Sequence, residues 1–222
     1  EEVQATIKQG NKYKIAGVFN LVHVSPRTVK LKLVPTASNM NVADKVAEVK
    51  AIYNQLALNV DVEVTEPFDI SSHLVNGKVP TEDEFGDLTT YSPAQKAIIS
   101  AFTKERTPEQ AYYIFVTNAT SSTGQGGYMA LGNQFGFVFN QSARTIAHEF
   151  GHGALRLEHP FKQYKNKGLN KGDTQGIMDY AEGTDLLFTD WKQINNPAFK
   201  IYAFQSQSDG QIDLKENEYL GF

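Results

Sequence analysis

The sequence predicts an α+β fold, and two observations carry that prediction. Short segments in which apolar residues alternate with polar ones, or follow one another without a break, indicate β-strands, and longer segments with apolar residues three and four positions apart indicate helices. These segments follow one another as strand, helix, strand, helix, three strands and a long helix. The 222 residues, 41% of them hydrophobic, are enough for one substantial core or two lobes that share a cleft.

The first half of the chain predicts two strands around one helix. Residues 28–34 alternate between apolar and basic side chains, which predicts a half-buried strand. Asn41 is a suitable N-cap for a helix that we expect to run to about Leu58. Residues 60–64 alternate again, with valine at every second position, and predict a second strand.

The second half predicts a helix, three strands and a short final helix. Ser92-Pro93 combines a good N-cap with a proline at the first helical position, and the helix should reach Lys104. Residues 111–117 are apolar and aromatic almost throughout, which indicates a central, buried strand. Residues 128–131 and 135–139 predict two short strands joined by a turn at Gly132-Asn133, and residues 189–194 predict the last helix.

A long helix should begin at Ser142, a good N-cap. Its apolar side chains recur at helical spacing and should face the core: Ala143, Ile146, Ala147, Phe150, Ala154 and Leu157. Gly151 and Gly153 each weaken a helix by about 1 kcal/mol relative to alanine. We expect these two glycines to keep a cleft beside the helix open to a substrate.

This helix carries the pattern His148-Glu149-Phe150-Gly151-His152, two histidines four positions apart with a glutamate after the first. Residues four apart share one face of a helix, so both imidazoles can bind one Zn²⁺ ion. Glu149 lies beside His148, where its carboxylate can take a proton from a water molecule activated by the ion. The pattern indicates a zinc-dependent hydrolase, most simply a peptidase.

A third zinc ligand must come from outside the helix, and three residues qualify. His159 is the first choice, because neutral imidazole is a favoured zinc donor. Glu158 is its neighbour and its main rival. Glu182 ranks third, because a glutamate ligand of this kind usually comes from a second helix, whereas residues 181–184 have the composition of a loop.

The segment from His148 to His159, taken with Gly176-Ile177-Met178-Asp179-Tyr180, resembles the metzincin clan of zinc peptidases. The resemblance implies that His148, His152 and His159 are the zinc ligands and that Glu149 is the general base. It implies that Met178 is the methionine of the Met-turn beneath the metal. Tyr180 matches a tyrosine of the astacin-like and serralysin-like branches, which approaches the zinc or stabilises the oxyanion.

The resemblance also implies an architecture, a zincin with a twisted mixed sheet, an active-site helix and a carboxy-terminal subdomain that holds the Met-turn. We therefore expect a peptidase domain over residues 28–222, with an upper subdomain at about 28–153 and a lower one at about 154–222. Residues 1–27 would be an amino-terminal extension or an extra hairpin. An edge strand would bind an extended peptide through its backbone, and the matching residues are Tyr128, Met129, Ala130 and Leu131.

This chain departs from the metzincin pattern at one place. The usual spacing, H-E-x-x-H-x-x-G-x-x-H, would put a glycine at residue 155 and the third histidine at residue 158. The chain instead has Leu155 and Glu158, and its histidine comes one residue later. The glycine normally allows a sharp left-handed exit from the helix, so we expect this chain to leave the helix through a different turn.

Charge and composition exclude some partners. A net charge of −4 gives no indication of nucleic acid or an anionic membrane, and no apolar run is long enough to span a bilayer. The chain has no cysteine, so it has neither disulfides nor a cysteine-based latency switch. It begins Glu1-Glu2 without a methionine, which suggests a processed form or a piece of a longer protein.

We expect one catalytic Zn²⁺, a peptide or protein substrate, and a secreted or cell-surface location of bacterial type. Two alternatives stay open. One is a catalytically inactive metzincin-like binding module, and the other is a toxin-like protease domain that cleaves a single protein.

Overall fold

The structure, a computed structural model, describes residues 2–21, 26–81, 90–164 and 168–196. It begins with an antiparallel hairpin of two strands, β1 (Glu2–Gln9) and β2 (Lys12–Asn20). The described side chains of both strands are exposed on both faces of the hairpin. A hairpin is one of the two forms expected for residues 1–27, and the division of the chain into subdomains stays a prediction.

The remaining strands and helices follow the predicted order closely. In chain order they are β3 (Arg27–Pro35), α1 (Val46–Asn54), β4 (Leu58–Val64), β5 (Lys78–Val79), α2 (Pro93–Glu105), β6 (Tyr112–Val116), β7 (Thr120–Ser121), β8 (Gly127–Met129), β9 (Phe135–Val138), α3 (Ala143–Leu155), α4 (Pro160–Gln163) and α5 (Phe188–Ile194). None of the described helices is long and apolar enough to cross a membrane.

Five strands form a mixed sheet in the order β4-β3-β6-β9-β8, which confirms the predicted mixed α and β architecture. Strands β4, β3, β6 and β9 are parallel, and β8 is antiparallel to β9 at one edge. The strand expected to be central, β6, is the middle one. Strands β5 and β7 form a separate two-stranded parallel pair.

The five-stranded sheet separates two hydrophobic cores, because successive side chains of a strand point to opposite faces. On β6, Tyr112, Ile114 and Val116 belong to the core packed against α1 and α3, which we name the α3 face. Tyr113 and Phe115 belong to the opposite core, packed against α2, which we name the α2 face. A sheet covered on both sides explains why β6 is apolar throughout.

Two predictions for the first half were wrong in detail. Asn41 does not cap α1, because a short 3-10 turn (Ala43–Lys45) precedes the helix and neither turn nor helix has a side-chain cap at its start. The predicted half-buried strand is buried on both faces from Leu31 onward. Lys32 tolerates that burial because its ammonium lies 2.8 Å from Glu109 and 3.2 Å from Glu63.

The glycines of α3 serve close packing, so the expectation that they open a cleft was wrong. A Cβ atom added to Gly151 would lie 2.7 Å from the Met178 sulfur and 3.0 Å from the Tyr53 hydroxyl. A Cβ added to Gly153 would lie 2.1 Å from a carbon of Met129. The helix therefore approaches its neighbours more closely than any side chain would allow. As predicted, Ser142 caps the helix, accepting a hydrogen bond from the Thr145 N–H.

Candidate metal centre

The chain leaves α3 through a residue that is not glycine. Arg156 adopts the left-handed conformation, with φ of 52° and ψ of 32°, and the Leu157 N–H donates to the Gly151 carbonyl at 3.1 Å. The metzincin pattern places its glycine three residues before the third histidine, and Arg156 stands three residues before His159. The arginine costs about 1–2 kcal/mol in this conformation.

A side chain from α5 stabilises this exit. The Gln193 amide nitrogen donates to the carbonyl oxygens of Leu155 at 3.0 Å and Arg156 at 2.6 Å. The last carbonyls of a helix have no partner within the helix, so these bonds satisfy groups that would otherwise be left unpaired. The start of the loop that carries His159 is therefore held in place by hydrogen bonds to α5.

Three buried histidines converge beyond this turn. The Nε2 atom of His148 lies 3.1 Å from that of His152 and 3.2 Å from that of His159, and the last two are 3.2 Å apart. His148, His152 and His159 are 6%, 2% and 1% exposed. Within the described residues, this is the group of potential ligands close enough to hold a metal ion.

The triangle of Nε2 atoms fits a zinc ion. Bonds of about 2.0–2.1 Å at tetrahedral angles place two ligand nitrogens about 3.3–3.4 Å apart, close to the separations found here. Three histidines leave the fourth tetrahedral position for water or substrate, as in catalytic zinc sites. The buried histidine group is therefore compatible with one catalytic zinc ion.

The other ring nitrogen of two of these histidines is held by the backbone. The Nδ1 atom of His148 lies 2.8 Å from the Ile177 carbonyl, and that of His152 lies 2.6 Å from the Leu157 carbonyl. Because a carbonyl only accepts, each Nδ1 carries the proton and each Nε2 presents a lone pair to the centre. His159 is held by stacking instead, with the Phe161 ring 5.1 Å away and nearly parallel.

Burial keeps these imidazoles neutral. Desolvation lowers the pKa of His148 to about 4 and that of His159 to about 2, and it lowers the pKa of His152 well below its ordinary value. The neighbouring histidines lower the pKa of His152 further, because like charges repel. Neutral imidazole is the form that binds metal, so all three are ready to ligate near neutral pH.

The segment that carries Met178 and Tyr180 packs against α3 and against two of the histidines. Met178 is buried, with its sulfur against Gly151 of α3. The half-buried Tyr180 ring lies 5.8 Å from the ring of His148 and 5.1 Å from that of His159. The Lys171 ammonium lies 3.5 Å from the centre of the Tyr180 ring, a cation–π contact.

Asp179, between those two residues, organises the segment. Its buried carboxylate accepts hydrogen bonds from the backbone N–H groups of Gly172, Thr174 and Tyr180 and from the Thr174 hydroxyl, at 2.7–2.9 Å. The Asp179 carbonyl accepts a further bond from Arg144 at the start of α3. These bonds connect the segment that carries Met178 and Tyr180 to residues 172–174 and to helix α3.

The rival third ligands lie outside the histidine group. Glu158 and Glu182 are both exposed, and neither belongs to the group. Glu149 is buried on α3, with its carboxylate against Gly127 of β8.

Of the substrate strand predicted at residues 128–131, only residues 128 and 129 belong to the edge strand β8, and residues 130 and 131 lead into the turn that follows. The side chains of all four residues face inward. Met129 packs in the α3 face, whereas Tyr128 and Ala130 pack in the α2 face, with Leu131 partly buried beside them. Only the backbone of this strand is therefore suited to meet a peptide.

Sequence reasoning missed Asp179, Gln193 and Gly127. Asp179 lies inside the Gly-Ile-Met-Asp-Tyr segment, and a short acidic side chain after a turn-rich stretch is a signal for local backbone hydrogen bonding. Gln193 and Gly127 gave no such signal, because their roles depend on contacts with residues distant in sequence.

Comparisons with known proteins give weak similarities. No family model and no curated protein matches the chain. Metalloproteinase-II from Bacteroides fragilis is similar in structure with a TM-score of 0.47 and 13% identity, over 77% of this chain and 53% of that one. Archaemetzincin from Methanopyrus kandleri has a TM-score of 0.48 and 11% identity, over 75% of this chain and 93% of that one. The chain spans about half the length of the Bacteroides structure, and similarities this weak identify no family.

Proposed function

We propose that this protein is a zinc-dependent endopeptidase of metzincin type. The observation that carries the proposal is the triangle of Nε2 atoms from His148, His152 and His159, buried and neutral, with Glu149 directly after the first of them. In a catalytic zinc site of this composition, three protein ligands leave one position open for chemistry.

Each functional residue then has a defined task. A bound zinc ion supplies a Lewis acid that polarises the scissile carbonyl and lowers the pKa of water. Glu149 takes a proton from the attacking water and passes it to the departing amine. Tyr180, packed beside two of the histidines, donates a hydrogen bond to the developing oxyanion. Met178, whose sulfur lies against Gly151 of α3, would be the methionine of a Met-turn.

The substrate is proposed to bind along the edge of the sheet. Among the residues that the structure describes, strand β8 pairs with β9 and is the last strand of the sheet. An extended peptide added there would form main-chain hydrogen bonds with residues 128–131, which demand little of its side chains. This mode of binding suits an endopeptidase that accepts varied sequences.

The proposal is tested by Glu149→Gln, which keeps the size of the side chain and removes its basicity. We expect peptide hydrolysis to fall by about 10²–10⁴-fold, the usual contribution of a general base. Zinc content should stay at one ion per chain. The matched control is Glu158→Gln, on an exposed carboxylate outside the site, which should leave turnover unchanged. Full activity in Glu149→Gln would refute the assignment of the base.

A peptide library then separates the alternatives. Cleavage of many peptides, blocked by a hydroxamate, supports a general endopeptidase. Zinc binding without cleavage of the library or of any single protein would indicate a binding module. Cleavage of one protein only would indicate a toxin-like protease, which shares the chemistry but not the broad peptide binding proposed for β8.

A further inference from the structure

Gly127, the first residue of β8, is in closer contact with Glu149 than any residue with a side chain could be. A Cβ atom built on Gly127 would lie 2.6 Å from Oε1, 2.8 Å from Cγ and 2.9 Å from Cδ of Glu149. All three distances are shorter than real Cβ contacts. The space that a side chain would fill at residue 127 is therefore occupied by the Glu149 carboxyl group.

Strand β8 cannot easily move away from that carboxyl group. Gly127 pairs with Val138 of β9, and just before it the Gly126 carbonyl accepts a hydrogen bond from the Phe139 N–H at 2.8 Å. The next residue is anchored as well, because the Tyr128 hydroxyl donates to the Thr90 carbonyl. A larger residue at position 127 would therefore displace Glu149 before it displaced the strand.

Helix α3, which carries Glu149, is equally constrained. The Tyr53 hydroxyl donates to the Ala147 carbonyl at 2.5 Å, and Gly151 and Gly153 pack directly against Met178 and Met129. The backbone around Glu149 therefore cannot move away from β8. Because of this, an added atom at residue 127 must be accommodated by rotation of the Glu149 side chain.

A Cβ atom built on any of the other described glycines would not meet a carboxylate. A Cβ on Gly126, the neighbour of Gly127, would lie 3.0 Å from the Asn140 amide nitrogen and 3.9 Å from a methyl group of Thr145. A Cβ on Gly136 would lie 2.9 Å from the sulfur of Met129. Among the described glycines, Gly127 is the one at which an added Cβ would collide with a carboxyl group, that of Glu149.

We propose that Gly127 is a positioning residue for Glu149. Its lack of a side chain lets the carboxyl group lie against the edge strand and fixes the rotamer from which the proton is taken. One residue thereby sets both the start of the proposed substrate strand and the position of the base. The proposal of a positioning role in catalysis rests on the proposed function of Glu149, whereas the packing contact between the two residues does not.

The catalytic test compares Gly127→Ala with Gly126→Ala, a matched change one residue away. Since a misplacement of about 1 Å can cost about 10²-fold in rate, we expect kcat to fall at least about tenfold in Gly127→Ala. KM and zinc content should change little. Gly126→Ala should keep its kcat and its KM. Equal kcat losses in both variants, or an unchanged kcat in Gly127→Ala, would overturn the positioning role.

A stability cycle tests the contact without any reference to hydrolysis. Gly127→Ala should lower the melting temperature of the zinc-free protein, and it should cause no such shift when Glu149 is already alanine, because the side chain that collides is then absent. An equal shift in both backgrounds would overturn the contact. If the shift vanishes with Glu149→Ala but Glu149→Gln keeps full turnover, the contact stands and the proposed function fails.

Discussion

The two faces of the sheet are built in different ways. The α2 face is packed with aromatic rings, in which Phe102 contacts Phe68, Phe115 and Tyr113 with ring centroids 5.2–5.4 Å apart. The α3 face is mainly aliphatic, with a smaller aromatic group of Tyr53, Tyr112 and Phe150, and Gly151 and Gly153 bring the helix against its neighbours. Helix α3, which packs on this face, carries His148 and His152.

The difference shows what each face can tolerate. A core of interlocking rings loses most when atoms are removed, because each ring leaves a large cavity. A core built on close backbone approach loses most when atoms are added, because no space is left for them. The face that holds the candidate metal centre is therefore the one that fixes its helix most closely.

Phe102→Ala should have the largest effect on stability. Removal of this buried ring from the α2 face should lower the free energy of unfolding by about 3–5 kcal/mol, measured by urea denaturation. Phe102→Leu, which keeps most of the volume, is the control and should lose less. Folded protein of either variant should still bind one zinc ion. Loss of zinc binding in the folded variant would show that the two faces are not independent.

Acidification should weaken the zinc-free protein through the α3 face. The three histidines have folded pKa values below the unfolded value of about 6.5, so the unfolded chain takes up more protons and stability falls as pH drops below that value. Each contributes up to about 1.4 kcal/mol per pH unit. Asp190 has the opposite effect, because burial raises its pKa to about 6. The folded protein takes up this one proton as the pH falls, which offsets part of the loss of stability.

The net loss in free energy of unfolding between pH 7 and pH 5 should be a few kcal/mol, because three imidazoles act against one carboxyl group. Urea denaturation in the presence of a chelator measures it. A variant in which His159 is replaced by phenylalanine should lose less on acidification, because one titrating group is absent. Equal stability at the two pH values would contradict the assignment of three buried, neutral imidazoles.

Gly153→Ala should have the smallest of the three effects on the free energy of unfolding. It should destabilise the protein, although helix propensity alone would favour alanine. Alanine favours a helix over glycine by about 1 kcal/mol. Here the added Cβ would lie 2.1 Å from a carbon of Met129 and 2.8 Å from the Asn133 carbonyl oxygen, so we expect a net destabilisation of roughly 1–3 kcal/mol. Ser100→Ala, at an exposed position of α2, is the control and should be neutral or stabilising. A stabilised Gly153→Ala would contradict the close approach on the α3 face.

Local pattern was sufficient to predict most of the elements. The Ser92-Pro93 start of α2, the apolar run of β6 and the Ser142 cap of α3 are signals contained within a few residues, and the structure has each of them. The start of α1 was wrong, because the turn at Ala43–Lys45 has no side-chain cap that a sequence could reveal. The burial of β3 on both faces depends on elements far along the chain.

In the candidate site, too, features set by neighbouring residues could be predicted from the sequence, and features set by distant contacts could not. Helical spacing alone predicted that His148 and His152 share a face. That Arg156 would take the left-handed conformation in place of glycine could not be predicted, because the Gln193 contact that stabilises this turn comes from 37 residues further on. The contact between Gly127 and Glu149 joins a strand and a helix, and only the folded structure reveals it.

The anchors at both ends of α3 have a consequence for biosynthesis. A nascent chain that has left the ribosome only as far as Pro160 already contains all three imidazoles. It still lacks the Ile177 carbonyl that orients His148, the carbonyls that hold Arg144, and Gln193 at the helix end. The groups that orient and anchor the centre are thus translated after the three histidines that compose it.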